Sequence, residues 1–585
     1  MQLFRALFFL LAPILIIYPQ KGWETVSEET NFKRTASCDE TDEYFNRLSK
    51  ISSTVRYETF GTSPQGRAMK VFIVSKDTAL TPEKAKKSGK PILFIINGIH
   101  PAEIEGKEAS MIFLREMLVE GKHRQIYDNV ILVIVPIFSV DGHERTSPYN
   151  RINQNGPENM GWRGTSLNYN LNRDWTKADT PEMQAMLRLF NTWEPDLVMD
   201  NHTTDGADFQ YTVQYGLEDY QMLAPNIVKL IRNSYLPYLQ EKVEGAGFLM
   251  CPYFWFREGE LEKGLRKWIS LPRFTNGYAA AKNRICLLVE THMLKPFNER
   301  IFATYECIKA TGEFMAMNAK IVIGENRKAD NESYSYTGKG ANWLPVNFSV
   351  SDKTENTFSF KGFEAIKEKS EVSGGEKTVY TKNKKEIIIP HYDDVVVTDS
   401  VLLPQGYVIP KEYKEVIEKL ALHGVEMQQF TSDTKVKAEV IKFKDVRFDK
   451  APFEGRTRVK FKYDTETKEV TVPAGSFYVR CEGKNFKLIA VLLEPKSEDS
   501  FVAWGFFNNI FEMKEYFEDY VMEKVAAEML AKDPALKKEF NDKLANDKEF
   551  SGNPFARLYW FFERSPYFDA KFCVYPILRV VDGGI

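Results

Sequence analysis

The stretch Pro91-Ile-Leu-Phe-Ile-Ile-Asn97 (PILFIIN), followed at once by Gly98-Ile99-His100-Pro101-Ala102-Glu103, decides the reading of the fold. Its apolar run is nearly continuous, as in a strand covered on both faces, and the segment beyond it, Glu103–Val119, takes up helical spacing. Moving outward, the same texture returns at Val130–Ile137 (VILVIVPI), Asp196–Asp200 (DLVMD) and Ile285–Glu290 (ICLLVE). Between the strands, Pro181–Trp193 reads as a helix with Thr180 at the N-cap and Pro181 at its first position. Buried strands alternating with helices predict an α/β domain with a mostly parallel mixed sheet and helices on both faces.

The α/β texture runs over 38–324, and the polar stretch 325–340 (ENRKADNESYSYTGKG from Glu325) reads as a linker. Residues 341–475 carry short alternating strands such as Lys385–Ile389 and Val459–Tyr463, so a β-rich accessory region is expected. In 476–585 a strand is expected at Lys487–Leu493, then a largely helical stretch over Phe511–Leu544. At 585 residues the chain exceeds what one hydrophobic core supports, so more than one domain is expected.

Composition excludes several classes. With 43% hydrophobic residues and 27% charged ones, general disorder is ruled out. The net charge of −3 gives no bulk attraction to nucleic acid or to an anionic membrane. Six cysteines without a C-x-x-C pair indicate neither a thiolate zinc site nor a disulfide miniprotein. At the N-terminus, Arg5 precedes the apolar run Ala6–Tyr18. The run is shorter than the ~20 residues a membrane span needs and fits a signal peptide over 1–19, which implies a secreted or periplasmic protein. An uncleaved N-terminal anchor is the alternative.

His100-x-x-Glu103 leaves a strand-to-helix turn, so an imidazole and a carboxylate can converge on one cation. The motif alone is weak, since His423-x-x-Glu426 repeats it where no further ligand accompanies it. The first copy has company: His202 follows DLVMD and Glu290 ends ICLLVE, both at the carboxyl ends of predicted core strands, where sites form in open α/β sheets. His100, Glu103 and His202 would supply three ligands to Zn²⁺ with one position open, and Glu290 would remain as the base.

These residues resemble the M14 family of zinc carboxypeptidases, whose order is His-x-x-Glu, Asn-Arg, His, Glu. Here the middle element is Asn172-Arg173, followed by Asp174 and preceded by Trp162-Arg163-Gly164-Thr165; Gly61–Arg67 and Ser139-Val140-Asp141-Gly142 add to the match. The resemblance covers about 40–320, and the runs His202–Gly206 and Leu171–Glu182 resemble a less-studied bacterial branch. It implies that Asn172 and Arg173 hold the substrate's terminal carboxylate and that Arg163 stabilises the oxyanion. Tyr278, 12 residues before Glu290, reads as a core aromatic, with a stand-in for the family's mobile tyrosine in substrate binding as the other reading.

The expected activity is therefore zinc-dependent removal of C-terminal residues from peptides bearing a free C-terminal carboxylate, with no nucleic-acid partner and no membrane partner beyond an N-terminal anchor. An amidase or deacylase acting on peptidoglycan stem peptides or N-acyl amino acids is the rival within hydrolases. A non-catalytic binding protein on the same fold is the lesser one.

Overall fold

A computed structural model of the protein describes residues 21–335 and 343–581. The apolar run Ala6–Tyr18 lies outside the described residues, and among those described no helix is long and apolar enough to cross a membrane. Two compact units emerge, one formed by the chain to Asp330 with Ser349–Val396, the other by Asn331–Phe348 and the chain from Val397 onward.

The first unit is built on an eight-stranded mixed sheet. Its strands are β1 (Val55–Thr62), β2 (Ala68–Val74), β3 (Ile92–Asn97), β4 (Ile131–Val135), β5 (Leu197–Thr204), β6 (Val213–Gly216) and β7 (Met250–Pro252). After β8 (Phe254–Phe256) and β9 (Leu265–Lys267), which join another sheet, β10 (Ile285–His292) completes it. The order is β1-β2-β4-β3-β5-β10-β6-β7, with β4, β3, β5 and β10 parallel at the centre. Every residue of β3, β4, β5 and β10 is buried, which is why these strands are apolar runs rather than alternating ones.

Two glycines make the strand-to-helix turn after β3. Gly98 has φ +63°, a left-handed conformation that costs glycine least. A Cβ on Gly106 would come within 2.2 Å of Asn97 Oδ1 and 2.6 Å of Asn201 Cβ, so the helix Glu105–Leu118 can start hard against the ends of β3 and β5 only because residue 106 has no side chain. The helix Pro181–Trp193 is capped by Thr180, whose Oγ1 accepts from Met183 N at 3.1 Å.

Three expectations need correction. The stretch 325–340 is not a linker over its first part, because one helix runs from Ala319 to Ser335. Its charges sit at helical spacing and are anchored: Arg284 forms a bidentate pair with Asp330 at 2.8 and 3.0 Å, and Asn326 donates to the Asp196 backbone oxygen at 3.0 Å. The accessory region 341–475 is not one body. Its hairpin Thr357–Lys369 and Glu376–Tyr392 continues the β8–β9 sheet of the first unit and packs Phe360 and Ile389 against Phe209, Tyr211 and Phe254. Lys487–Leu493 is not a strand but the body of a helix, Phe486–Leu493, since eight nearly continuous apolar residues satisfy either period when buried all round.

The second unit holds a six-stranded sheet in which Gly406–Ile409 and Leu578–Val580 are central, and, before the last of these strands in the chain, helices closed around Met522, Phe540, Trp560 and Phe561. The helical stretch expected over Phe511–Leu544 is split at Asp533-Pro534: Asp533 caps the second helix by accepting from Ala535 N and Leu536 N, and Pro534 takes its first position.

Candidate active site

His100 leaves the turn after β3, and His202 lies in β5 beside it. Glu103, at the foot of the Glu105–Leu118 helix, is 2% exposed and sits between them. His100 Nδ1, Glu103 Oε2 and His202 Nδ1 form a triangle with edges of 3.1, 3.0 and 3.2 Å. A tetrahedral zinc with bonds of about 2.0–2.1 Å spaces its ligand atoms at roughly 3.3 Å, so the triangle has the size of one face of that polyhedron. Three acceptor lone pairs meet at one point; a proton can serve only one pair of them, and a cation serves all three.

The groups behind the imidazoles agree. His202 Nε2 lies 2.8 Å from Asp200 Oδ2, and His100 Nε2 lies 3.1 Å from Asn170 Oδ1. The His100 ring thus has an acceptor behind Nε2, which favours the tautomer with a bare Nδ1, whereas the carboxylate beside His202 acts through its charge, since Nε2 makes no hydrogen bond to it. Burial pushes the His100 imidazole down to about 4, so it is neutral and able to ligate. Asp200 raises His202 against the effect of burial. Glu103, despite burial, is held well below the usual carboxylate range by the cationic groups around it, Arg151 among them.

Cys38, His143 and Glu144 form a second cluster, with His143 Nδ1 3.7 Å from Cys38 Sγ and 2.9 Å from Glu144 Oε1. Its outer partner is of the wrong kind. Lys107 Nζ, a donor, lies 3.2 Å from His143 Nε2 and leaves the proton on Nδ1, the atom a metal would need. Burial also pushes the Cys38 thiol up, away from the thiolate. The cavity of about 260 Å³ bounded by Cys38, Tyr57, Arg67 and Glu144 belongs to this cluster and touches none of His100, Glu103 or His202.

Glu290 in β10 stands in register with His202 in β5. Burial, with Glu103 and Asp200 adding to it and His202 opposing, pushes its carboxyl up to about 8. Such a group is poised to take up and release a proton near neutral pH.

Arg163, with a half-exposed side chain, points Nη1 to Glu103 Oε1 at 3.2 Å. Its loop is fixed through Asp141, which accepts from Ser166 at 2.8 Å, Ser63 at 2.7 Å and Arg67 at 2.8 Å, so the two outlying motifs at 61–67 and 139–142 meet in one network beneath it.

Asn172 and Arg173 occupy a short 3₁₀ turn, Leu171–Arg173, tied to His100 through Asn170. Asn172 Oδ1 accepts from Thr275 N at 3.1 Å and Thr275 Oγ1 at 3.3 Å. The Arg173 guanidinium lies 4.1 Å from the Phe274 ring centroid. Asp174, adjacent in sequence, points elsewhere: both its oxygens are engaged, by Lys177, Asp179 N, Thr180 N and Thr180 Oγ1 at 2.6–2.9 Å.

For Tyr278 the core reading holds and the substrate-binding one is corrected. It is 0% exposed, packed tilted against Trp175 and edge-on against Phe190 at 5.1 and 5.7 Å between centroids, and so belongs to the core and cannot touch substrate. Three neighbours of the site escaped the sequence: Asp200 behind His202, Arg151 on Glu103, and Tyr253, whose phenol is pushed up by burial and by Glu290. Asp200 stood in the DLVMD strand two residues before His202, the spacing that puts both side chains on one face of a strand, and could have been found there.

Residues 41–224 match the family model Peptidase_M14, zinc carboxypeptidase. That segment is similar to the M14 zinc carboxypeptidases. The chain is 21% identical over 487 residues to carboxypeptidase 2 of Trichophyton rubrum, covering 80% of this chain and 83% of the relative, and 20% identical over 489 residues to carboxypeptidase 2 of Trichophyton equinum, with the same coverage. Among solved structures, a metallo-carboxypeptidase from Burkholderia cenocepacia matches with a TM-score of 0.35 and 16% identity, covering 48% of this chain and 70% of that one. Carboxypeptidase A from Helicoverpa armigera matches with a TM-score of 0.37 and 17% identity, covering 49% and 75%.

Proposed function

We propose that this protein is exported and hydrolyses the last peptide bond of substrates with a free C-terminal carboxylate, with zinc held by His100, Glu103 and His202. The observation that carries the reading is the 3.0–3.2 Å triangle of those three ligand atoms with Glu290 in register beside it. Bound zinc supplies Lewis acidity. Glu290 accepts the proton of the attacking water and returns it to the leaving amine. Arg163, half-exposed, donates to the oxyanion that develops on the scissile carbonyl.

Asn172 and Arg173 anchor the terminal carboxylate. With Asn172 Oδ1 committed to Thr275, its Nδ2 is the atom left to donate, and Asp174, fully engaged by Lys177 and Thr180, does not neutralise Arg173. Export rests on the apolar run Ala6–Tyr18. The test is metal analysis of the purified chain together with mass spectrometry of products from a peptide pool. One zinc per chain and stepwise loss of C-terminal residues are expected; internal cleavage, or release of acyl groups alone, would reject the reading.

A further inference from the structure

Two arginines share one oxygen of Glu103: Arg151 Nη2 lies 2.9 Å and Arg163 Nη1 3.2 Å from Oε1, while Oε2 faces both histidines. They are held very differently. The Arg151 side chain is 14% exposed, against 49% for Arg163. Arg151 Nε donates to Gln154 Oε1 at 3.1 Å, and Gln154, 7% exposed, in turn donates to the Ala102 backbone oxygen at 3.1 Å. Arg151 Nη2 also reaches the Thr203 backbone oxygen at 3.3 Å, next to His202. The residue sits at φ +56°, a left-handed conformation that a non-glycine side chain adopts at a cost. Arg151 is thus braced from both sides of the ligand triangle, whereas Arg163 reaches in from the open side.

We propose that Arg151 is a positioning residue: it holds Glu103 Oε1 permanently, so that Oε2 stays turned to the metal when Arg163 leaves Glu103 for the substrate. The inference rests on the zinc reading of His100, Glu103 and His202. A carboxylate with a single bidentate-capable partner would swing when that partner moved; with two on the same oxygen, one can depart while the other keeps the orientation. The two guanidiniums therefore divide the work, one for the ligand and one for the reaction.

The test compares Arg151→Gln, Arg151→Lys and Arg163→Gln in the full chain, reading zinc dissociation by chelator competition and kcat and KM separately. Arg151→Gln is expected to weaken zinc binding about 10- to 100-fold, with Arg151→Lys recovering part of it and KM at saturating zinc little changed. Arg163→Gln is expected to hold zinc within about 3-fold of wild type while kcat falls about 10²-fold or more. Zinc affinity unchanged in both Arg151 variants, or weakened equally by the Arg163 change, would overturn the division. Should wild type itself bind no zinc, or His100→Ala bind it normally, the metal reading fails instead. Unfolding midpoints of the apo variants separate misfolding from ligand misplacement, and Arg151→Lys keeps the test open if Arg151→Gln does not fold.

Discussion

Glu290 and His202 face each other in register across the parallel strands β10 and β5, one proposed base beside one proposed ligand. Neither residue can shift without moving a central strand, so the base is positioned by the core itself. Glu290→Gln keeps the size and burial of the side chain while removing its proton chemistry. We expect zinc content and KM near wild type and kcat lower by about 10²–10⁴-fold. Turnover within a few-fold of wild type would assign the base elsewhere.

The two His-x-x-Glu copies part company in three dimensions. His423 is fully buried at the end of the helix Lys414–Leu422 and Glu426 is exposed, so the second copy does not converge as His100 and Glu103 do. His100→Ala should lose stoichiometric zinc and His423→Ala should retain it per folded chain, as measured by plasma emission spectrometry. Zinc loss on changing His423 would place the metal at the wrong copy.

On the proposed reading Arg173 carries the exopeptidase character. A lost charge-assisted hydrogen bond costs roughly 1.5–3 kcal/mol, or about 10- to 150-fold in kcat/KM. C-terminally amidated peptides should be poorer substrates than free ones by that factor, and Arg173→Ala should abolish most of the difference. Equal cleavage of both peptides by the wild type would count against carboxylate anchoring and in favour of an amidase or deacylase.

Glu182 gives a pH dependence away from the metal ligands. The residue is 1% exposed, and burial, with Asp141 and Asp174 nearby, pushes its carboxyl from 4.5 up to about 7. Because the folded value is raised, its share of stability is fully present below about 4.5 and is lost as pH rises through 7. The unfolding free energy from denaturant titrations should fall over that window, by roughly 3 kcal/mol from this group, and Glu182→Gln should flatten the fall and be the more stable protein at pH 8. Parallel pH profiles for the two proteins would show that Glu182 is ionised in the fold.

The central strands and the order of the site residues were legible in the sequence because each is written locally. A strand buried on both faces must be an apolar run, and PILFIIN, VILVIVPI, DLVMD and ICLLVE all proved to be strands of the parallel centre. That His100, Glu103 and His202 lie together, with Glu290 in register beside His202, follows from their places along the central strands. Tertiary structure alone decided what depends on residues far apart in the chain. The spacing of Tyr278 left both core and cleft open, and the packing of Trp175 and Phe190 around it decides for the core. Phe486–Leu493 could satisfy a strand or a helix, and its buried setting chose the helix. Arg151 had no local signal at all, since its partner lies 48 residues earlier, at Glu103. Periodicity records which face a segment buries; it is silent on which distant charge will meet another, because that is fixed by the path of the loops between them.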